Sequence, residues 1–211
     1  MTVRAMVFDL DGTLVDTSGD ISASVNAARA ALGRSPLAAA EAMKYIGDGI
    51  DVLMIRAVCE READIPRARD LYRAHHAEHF LERSKLYPGV AEGLERLAGA
   101  GVRMSVVTNK AHRFAAPLLD HLGVGRHFTH VLGEEAQPRR KPDPDGLLLA
   151  LGEQGVAPAE ALMVGDSWQD LAAGSAAGCR TVWCRYGFGD PQGRSADFVA
   201  ETFADVVAAA Q

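Results

Sequence analysis

The chain carries carboxylates at spacings that suit metal and phosphoryl chemistry. Asp9 and Asp11 close a short apolar run just ahead of Gly12. Thr108, Asn109 and Lys110 follow a second apolar run. Lys141 opens the loop Lys141-Pro142-Asp143-Pro144. Asp166, with Ser167 and Asp170, follows a third run. Asp9, Asp11 and Asp166 repel one another when brought together unless a cation lies between them. A site of oxygen ligands with few dedicated side chains suits Mg2+, which keeps waters and takes an oxygen from its substrate. Thr108 offers a hydroxyl and a nearby backbone N–H, and Lys141 a point charge. With the metal they can neutralise a phosphoryl group. A carboxylate beside that group can act as nucleophile and form an aspartyl phosphate. A second carboxyl, a turn away, can protonate the leaving oxygen and then activate water.

Each piece taken singly has a plainer reading. Asp11-Gly12 is a common turn dipeptide, Ser167 can be a helix N-cap, and Lys141 can be a solvated loop lysine. Residue usage shifts the balance. Among 22 basic residues the lysines are Lys44, Lys85, Lys110 and Lys141, and two of these stand beyond strand ends. Convergence decides the matter, and it depends on the elements that hold these groups.

Residues 3–9 read as a buried strand that stops at a turn. From 16 to 84 the spacing turns helical, with helices expected over 18–32, 37–46, 50–62 and 67–83. After Tyr87-Pro88-Gly89 the pattern alternates. Helices are expected over 90–99, 111–122, 144–154, 168–177 and 201–210, and strands over 102–108, 128–132, 161–165, 180–184 and 197–199. Such alternation with short loops implies a parallel sheet with helices on both faces. Ligands bind at the carboxyl ends of strands in such sheets. Asp9, Thr108, Lys141 and Asp166 would then meet at one sheet edge. The expected organisation is an α/β core from 1–15 and 86–211, with a helical insert over 16–85.

Composition bounds the function. The chain has 211 residues, 48% hydrophobic and 24% charged, with a formal net charge of −6, which excludes disordered and fibrous classes. No basic block offers a footprint for nucleic acid. Three cysteines, with no C-x-x-C, fit free thiols in a reducing compartment. The first apolar stretch ends in Asp9, too soon for a signal peptide, and no run approaches the roughly 18 apolar residues of a membrane span. A cytoplasmic protein, with neither nucleic acid nor membrane as partner, is the expectation. Monomer and homodimer both stay open.

The motifs resemble those of the haloacid dehalogenase-like hydrolases. Asp9-Leu10-Asp11-Gly12-Thr13-Leu14-Val15-Asp16 resembles their first motif, and Val106-Val107-Thr108-Asn109-Lys110 the second. Lys141-Pro142-Asp143-Pro144 resembles the third, and Val164-Gly165-Asp166-Ser167 with Asp170 the fourth. The resemblance implies a Rossmann-like parallel-sheet core with a helical cap after the first strand. It implies Asp9 as nucleophile and Mg2+ ligand. Asp11 would be general acid/base and would ligate Mg2+ through its backbone carbonyl. Asp166 would be a further Mg2+ ligand, Thr108 and Lys141 the binders of the substrate's phosphoryl group, Asn109 a further substrate-binding residue, and Asp170 a support through water or a neighbouring group. It also implies a mobile cap that excludes water from the first half-reaction.

Asp11 discriminates within the family. Halide leaves without a proton, whereas the alkoxide of a phosphate ester needs one, so Asp11 points to a small phosphorylated metabolite as substrate. The chain is most similar to the phosphoglycolate phosphatase-like branch, through Tyr45-Ile46-Gly47-Asp48-Gly49, Tyr87-Pro88-Gly89-Val90, Ala176-Ala177-Gly178-Cys179 and Tyr186-Gly187. Ala111 stands where that branch usually has proline. Sugar-phosphate phosphatase, pyrophosphatase and phosphomutase remain as alternatives, as does a phosphate-sensing module without turnover. Gly47-Asp48-Gly49 reads equally as a substrate contact or a helix–helix turn. His75 and His79, four apart, lack a third metal ligand. Gly187-x-Gly189 lacks the third glycine of a dinucleotide loop. Cys184 reads as packing, and Trp168 as either packing or a wall of the site.

Overall fold

A computed structural model describes residues 3–47, 49–59 and 61–211. It divides into two compact units, Met1–Asp16 with Leu86–Gln211, and Thr17–Lys85.

The first unit is built on a six-stranded sheet. In chain order its strands are β1 (Ala5–Phe8), β4 (Arg103–Val107), β5 (His130–Leu132), β6 (Ala161–Gly165), β7 (Arg180–Cys184) and β8 (Phe198–Ala200). Their spatial order is β5-β4-β1-β6-β7-β8, and every paired neighbour is parallel. Parallel strands covered on both faces need apolar side chains on both. Ala-Met-Val-Phe in β1 and Ala-Leu-Met-Val-Gly in β6 are buried throughout. A second ribbon, β2 (Val15–Asp16) with β3 (Lys85–Leu86), was too short to announce itself in the sequence.

Helices α5 (Val90–Gly99), α6 (His112–His121), α7 (Asp145–Gln154), α8 (Trp168–Ala177) and α9 (Phe203–Ala209) complete this unit. Phe8 stacks on Phe203 at 6.1 Å and meets Phe128 edge-on at 6.2 Å. Gly93 makes room for that arrangement, because a Cβ there would lie 2.5 Å from the Phe203 ring. All three cysteines are free. Burial pushes the Cys179 thiol up to about 11 and raises Cys184 further, so both pack as inert groups.

The second unit is helical, with α1 (Ser18–Ala31), α2 (Ala39–Met43), α3 (Ile50–Ala57) and α4 (Ile65–His79). Ile21, Val25 and Ala28 of α1 pack with Leu53, Met54 and Ala57 of α3 and Ala68 and Tyr72 of α4. Three helices are shorter than their spacing predicts. Helix α3 stops at Ala57 because two arginines distant in sequence take the next carbonyls. Arg29 donates to the Ala57 carbonyl and Arg34 to that of Val58. Past α4, buried Asp20 accepts from the Arg83 and Ser84 backbone N–H groups at 2.9 Å each. That carboxylate ties the returning chain to α1 instead of letting it run on as helix. Helix α2 is confined to five residues, ending before Gly47 (φ 109°) and Gly49 (φ 87°). Asp48, weighed above as a substrate contact, lies outside the described residues.

The histidines of α4 serve packing and local pairing. Ser24 Oγ lies 3.2 and 3.1 Å from Nδ1 of His75 and His76, and His79 Nδ1 lies 2.7 Å from Glu82. No helix of the described residues is long and apolar enough to cross a membrane.

Candidate active site

Three adjacent strands, β4, β1 and β6, present their carboxyl ends side by side. Asp9 follows β1 and continues its ladder, since its N–H donates to the Val164 carbonyl at 2.9 Å. The chain then turns sharply. The Gly12 N–H donates to Val15 at 2.9 Å, and Gly12 itself has φ +84°, a conformation that favours glycine. Space demands glycine as well, because a Cβ at Gly12 would lie 1.9 Å from Asp166 Oδ2. The backbone beside Asp11 therefore runs directly against Asp166.

Asp166 follows β6 and is 2% exposed. Its Oδ2 accepts N–H groups from Phe188 at 3.1 Å and Gly189 at 2.8 Å. Gly187 and Gly189 permit this approach, since a Cβ would come 2.4 Å from Asp166 Cβ at the first and 2.8 Å from the Asp166 carbonyl oxygen at the second. Tyr186 secures the loop by donating its hydroxyl to the Thr13 carbonyl at 2.9 Å. Trp168 holds it from the other side, through its N–H to the Asp190 carbonyl at 2.9 Å, with the Arg194 guanidinium 5.6 Å over its ring.

Lys141 is 3% exposed and reaches two carboxylates, Asp9 Oδ1 at 2.8 Å and Asp170 Oδ1 at 2.6 Å. Burial alone would lower its pKa, but Asp170 and Asp9 outweigh it and hold the ammonium above its ordinary range. Asp170 has a second duty. Its Oδ2 accepts the Ser167 N–H at 3.0 Å and the Ser167 hydroxyl at 2.6 Å, closing a capping box on α8. The Asn109 amide donates to the Lys141 carbonyl at 3.0 Å, linking the loop after β4 to the loop before α7. Gln137 donates to the Thr108 carbonyl at 2.7 Å and braces the same loop.

Asp11 stands apart from this cluster and pairs with Lys110 Nζ, 3.1 Å from Oδ1 and 3.4 Å from Oδ2. The fold thus gathers Asp9, Lys141, Asp166 and Asp170 into one group. Thr108 and Asn109 lie on the adjoining strand end, and Asp11 meets a different lysine. Lys110, Gln137 and the 187–189 loop were not singled out as site residues in the sequence. Lys110 had a signal there, as a rare lysine directly after Thr108-Asn109. The glycine pair had one too, but only against the wrong template.

The electrostatics ask for a cation. Carboxylate oxygens of Asp9, Asp166 and Asp170 lie within 4.8 Å of one another, the one such set of metal-ligating groups among the described residues. With all three carboxyls ionised, the single lysine beside them would leave an excess of two negative charges. Burial pushes Asp9 up to about 6, with Lys141 opposing and Asp170 adding to the shift. Burial, then Asp170 and Asp9, raise Asp166 well above the usual carboxylate range. A divalent ion offsets that excess, and the all-oxygen donor set suits a hard one.

The model of the haloacid dehalogenase-like hydrolase family matches residues 6–184, a span that includes Asp9, Asp11, Thr108, Lys110, Lys141, Asp166 and Asp170. The chain belongs to that family. Among curated relatives it is 37% identical over 210 residues to phosphoglycolate phosphatase of Chromobacterium violaceum, covering 97% of this chain and 95% of that one. It is 39% identical over 196 residues to phosphoglycolate phosphatase 1 of Pseudomonas aeruginosa, covering 88% and 70%. A crystal structure of a predicted phosphoglycolate phosphatase from Haemophilus somnus matches with a TM-score of 0.92 at 31% identity, over 100% of this chain and 99% of that one. A predicted phosphatase from Clostridium acetobutylicum shares the fold, with a TM-score of 0.88 at 20% identity over 99% and 98%.

Proposed function

We propose that this hydrolase is a Mg2+-dependent phosphatase that cleaves 2-phosphoglycolate through an aspartyl phosphate on Asp9. The observation that carries the reading is the buried group of Asp9, Lys141 and Asp166 at the carboxyl edge of β1 and β6, with Asp11 one turn away. Relatives of near-equal length named phosphoglycolate phosphatase support the substrate.

The first step forms a bond from an Asp9 carboxylate oxygen to phosphorus and breaks the bond to the leaving oxygen. Lys141 and Thr108 bind the phosphoryl oxygens, and Asn109 fixes the loop that carries Lys141. Asp11 gives its proton to the leaving oxygen, which departs as an alcohol. In the second step Asp11 takes a proton from water as that water attacks phosphorus, releasing phosphate and restoring Asp9. Asp9, the Asp11 carbonyl and Asp166 would hold Mg2+, which would supply positive charge to the phosphoryl oxygens. Asp170 orients Lys141 and caps α8.

The helical segment 16–85 serves as the cap that selects the substrate, and the core is formed by 1–15 and 86–211. Three free thiols fit a cytoplasmic setting. The enzyme works as a monomer or homodimer.

Phosphate release from a panel of phosphorylated metabolites, with Mg2+ and after chelation, tests the proposal. The expected result is Mg2+-dependent release with 2-phosphoglycolate preferred. Preference for another ester would keep the mechanism and move the substrate. Absence of release from every ester would end the phosphatase reading.

A further inference from the structure

The two lysines of the site pair with different carboxylates. Lys141 faces Asp9 and Asp170, while Lys110 faces Asp11 alone, 3.1 and 3.4 Å from its two oxygens. The Lys110–Asp11 pair is largely buried, with the side chains 7% and 13% exposed. The Lys110 backbone is pinned on both sides. Its N–H donates to Thr108 Oγ1 at 3.2 Å, and its carbonyl accepts the Glu134 N–H at 2.9 Å. A side chain leaving so fixed a backbone and spanning to both oxygens of one carboxylate leaves that carboxyl little freedom to turn. Exposed ion pairs hold geometry weakly, but a buried one on rigid backbone does not.

The geometry points to Lys110 as the positioning residue for the acid/base, distinct from the phosphoryl-binding Lys141. This rests on the phosphatase reading above. Lys110 holds the Asp11 carboxyl in one orientation toward the leaving oxygen. When the Asp11 O–H bond breaks, the proton goes to the leaving oxygen and the electron pair stays on the carboxylate. The Lys110 ammonium faces that new negative charge, so its stabilisation grows as the transition state is reached. The same pairing keeps the carboxylate aimed when water arrives in the second step.

A leaving-group comparison separates this role from binding or simple structural support. The ratio kcat/KM reports the first half-reaction, in which the leaving group departs. The phenolate of p-nitrophenyl phosphate leaves without needing a proton, whereas the alkoxides of 2-phosphoglycolate and simple alkyl phosphates need one. Lys110→Met is expected to lower kcat/KM on the alkyl esters by about 10²-fold and on p-nitrophenyl phosphate by less than about threefold. Lys110→Arg, which retains the charge, should recover at least about tenfold of the alkyl-ester loss. In an Asp11→Asn background Lys110→Met should cost nothing further, because the two residues act as a unit. Equal losses on both ester classes, or no loss on either, would overturn the assignment while wild-type turnover leaves the phosphatase reading standing. Wild-type inactivity on both classes would overturn the two together.

Discussion

Asp9 is subject to opposing demands. As the proposed nucleophile it must be ionised, yet burial pushes it up to about 6, and Asp170 adds to the shift. Lys141 at 2.8 Å already opposes that shift, and a bound cation would favour the ion further. The metal-free protein should therefore show the strain directly. A carboxyl with a raised folded-state pKa binds its proton more tightly folded than unfolded. Its contribution to stability is complete below about pH 4 and is lost as pH rises through about 6. Asp9→Asn removes the buried charge and leaves Lys141 its Asp170 partner at 2.6 Å. Turnover should fall by roughly 10⁴-fold or more. The metal-free variant should also melt about 5 °C above metal-free wild type near neutral pH, with the gap closing toward about pH 4. Thermal melts in chelator at the two pH values check this. A variant no more stable than wild type near neutral pH would mean that the Asp9 charge is not a burden on the fold.

At the scale of elements, the site is a product of strand ends and the loops that brace them. Strands β1, β4 and β6 were legible because they are buried on both faces, which forces continuous apolar runs, and Asp9, Thr108 and Asp166 end those runs. What the sequence did not disclose depends on partners far along the chain. The early end of α3 follows from carbonyls captured by Arg29 and Arg34, which no local spacing encodes. The bracing of Asp166 by Phe188 and Gly189 joins residues 22 and 23 apart through backbone N–H groups that carry no side-chain signature. With two N–H donors on Oδ2, the loop sets how Asp166 is presented to a cation. Gly189→Ala places a Cβ 2.8 Å from the Asp166 carbonyl oxygen, so the loop must withdraw. Mg2+ affinity by calorimetry should fall by about 10- to 100-fold, the range for groups that orient a ligand. Gly152→Ala in α7 meets nothing within 4 Å. It should leave Mg2+ affinity unchanged and add about 0.5–1 kcal/mol of stability from helix propensity. Equal affinity in Gly189→Ala and wild type would show that the loop does not shape the metal site.

Over the whole molecule, two units carry separate apolar interiors, and the buried acidic set belongs to one of them. Asp9, Lys141, Asp166 and Asp170 all lie within the unit Met1–Asp16 with Leu86–Gln211. The net charge of −6 works against an anionic substrate, so attraction must come from local positive charge: Lys141 and the cation. A cation that binds only the folded core stabilises it by about 2.7 kcal/mol at a hundredfold excess over Kd. For a chain of this size that amounts to roughly 5–10 °C in melting temperature. Amide exchange should slow at the ends of β1 and β6 and through the 187–189 loop. The helices of Thr17–Lys85, which contribute no carboxylate to the set, should exchange at unchanged rates. Asp166→Asn should abolish both the thermal shift and the local protection. Hydrogen exchange with and without Mg2+ reads the two units separately in one experiment. Protection spread evenly over both would mean that the cation stabilises the helical unit as well, and that the acidic set is not its sole point of action.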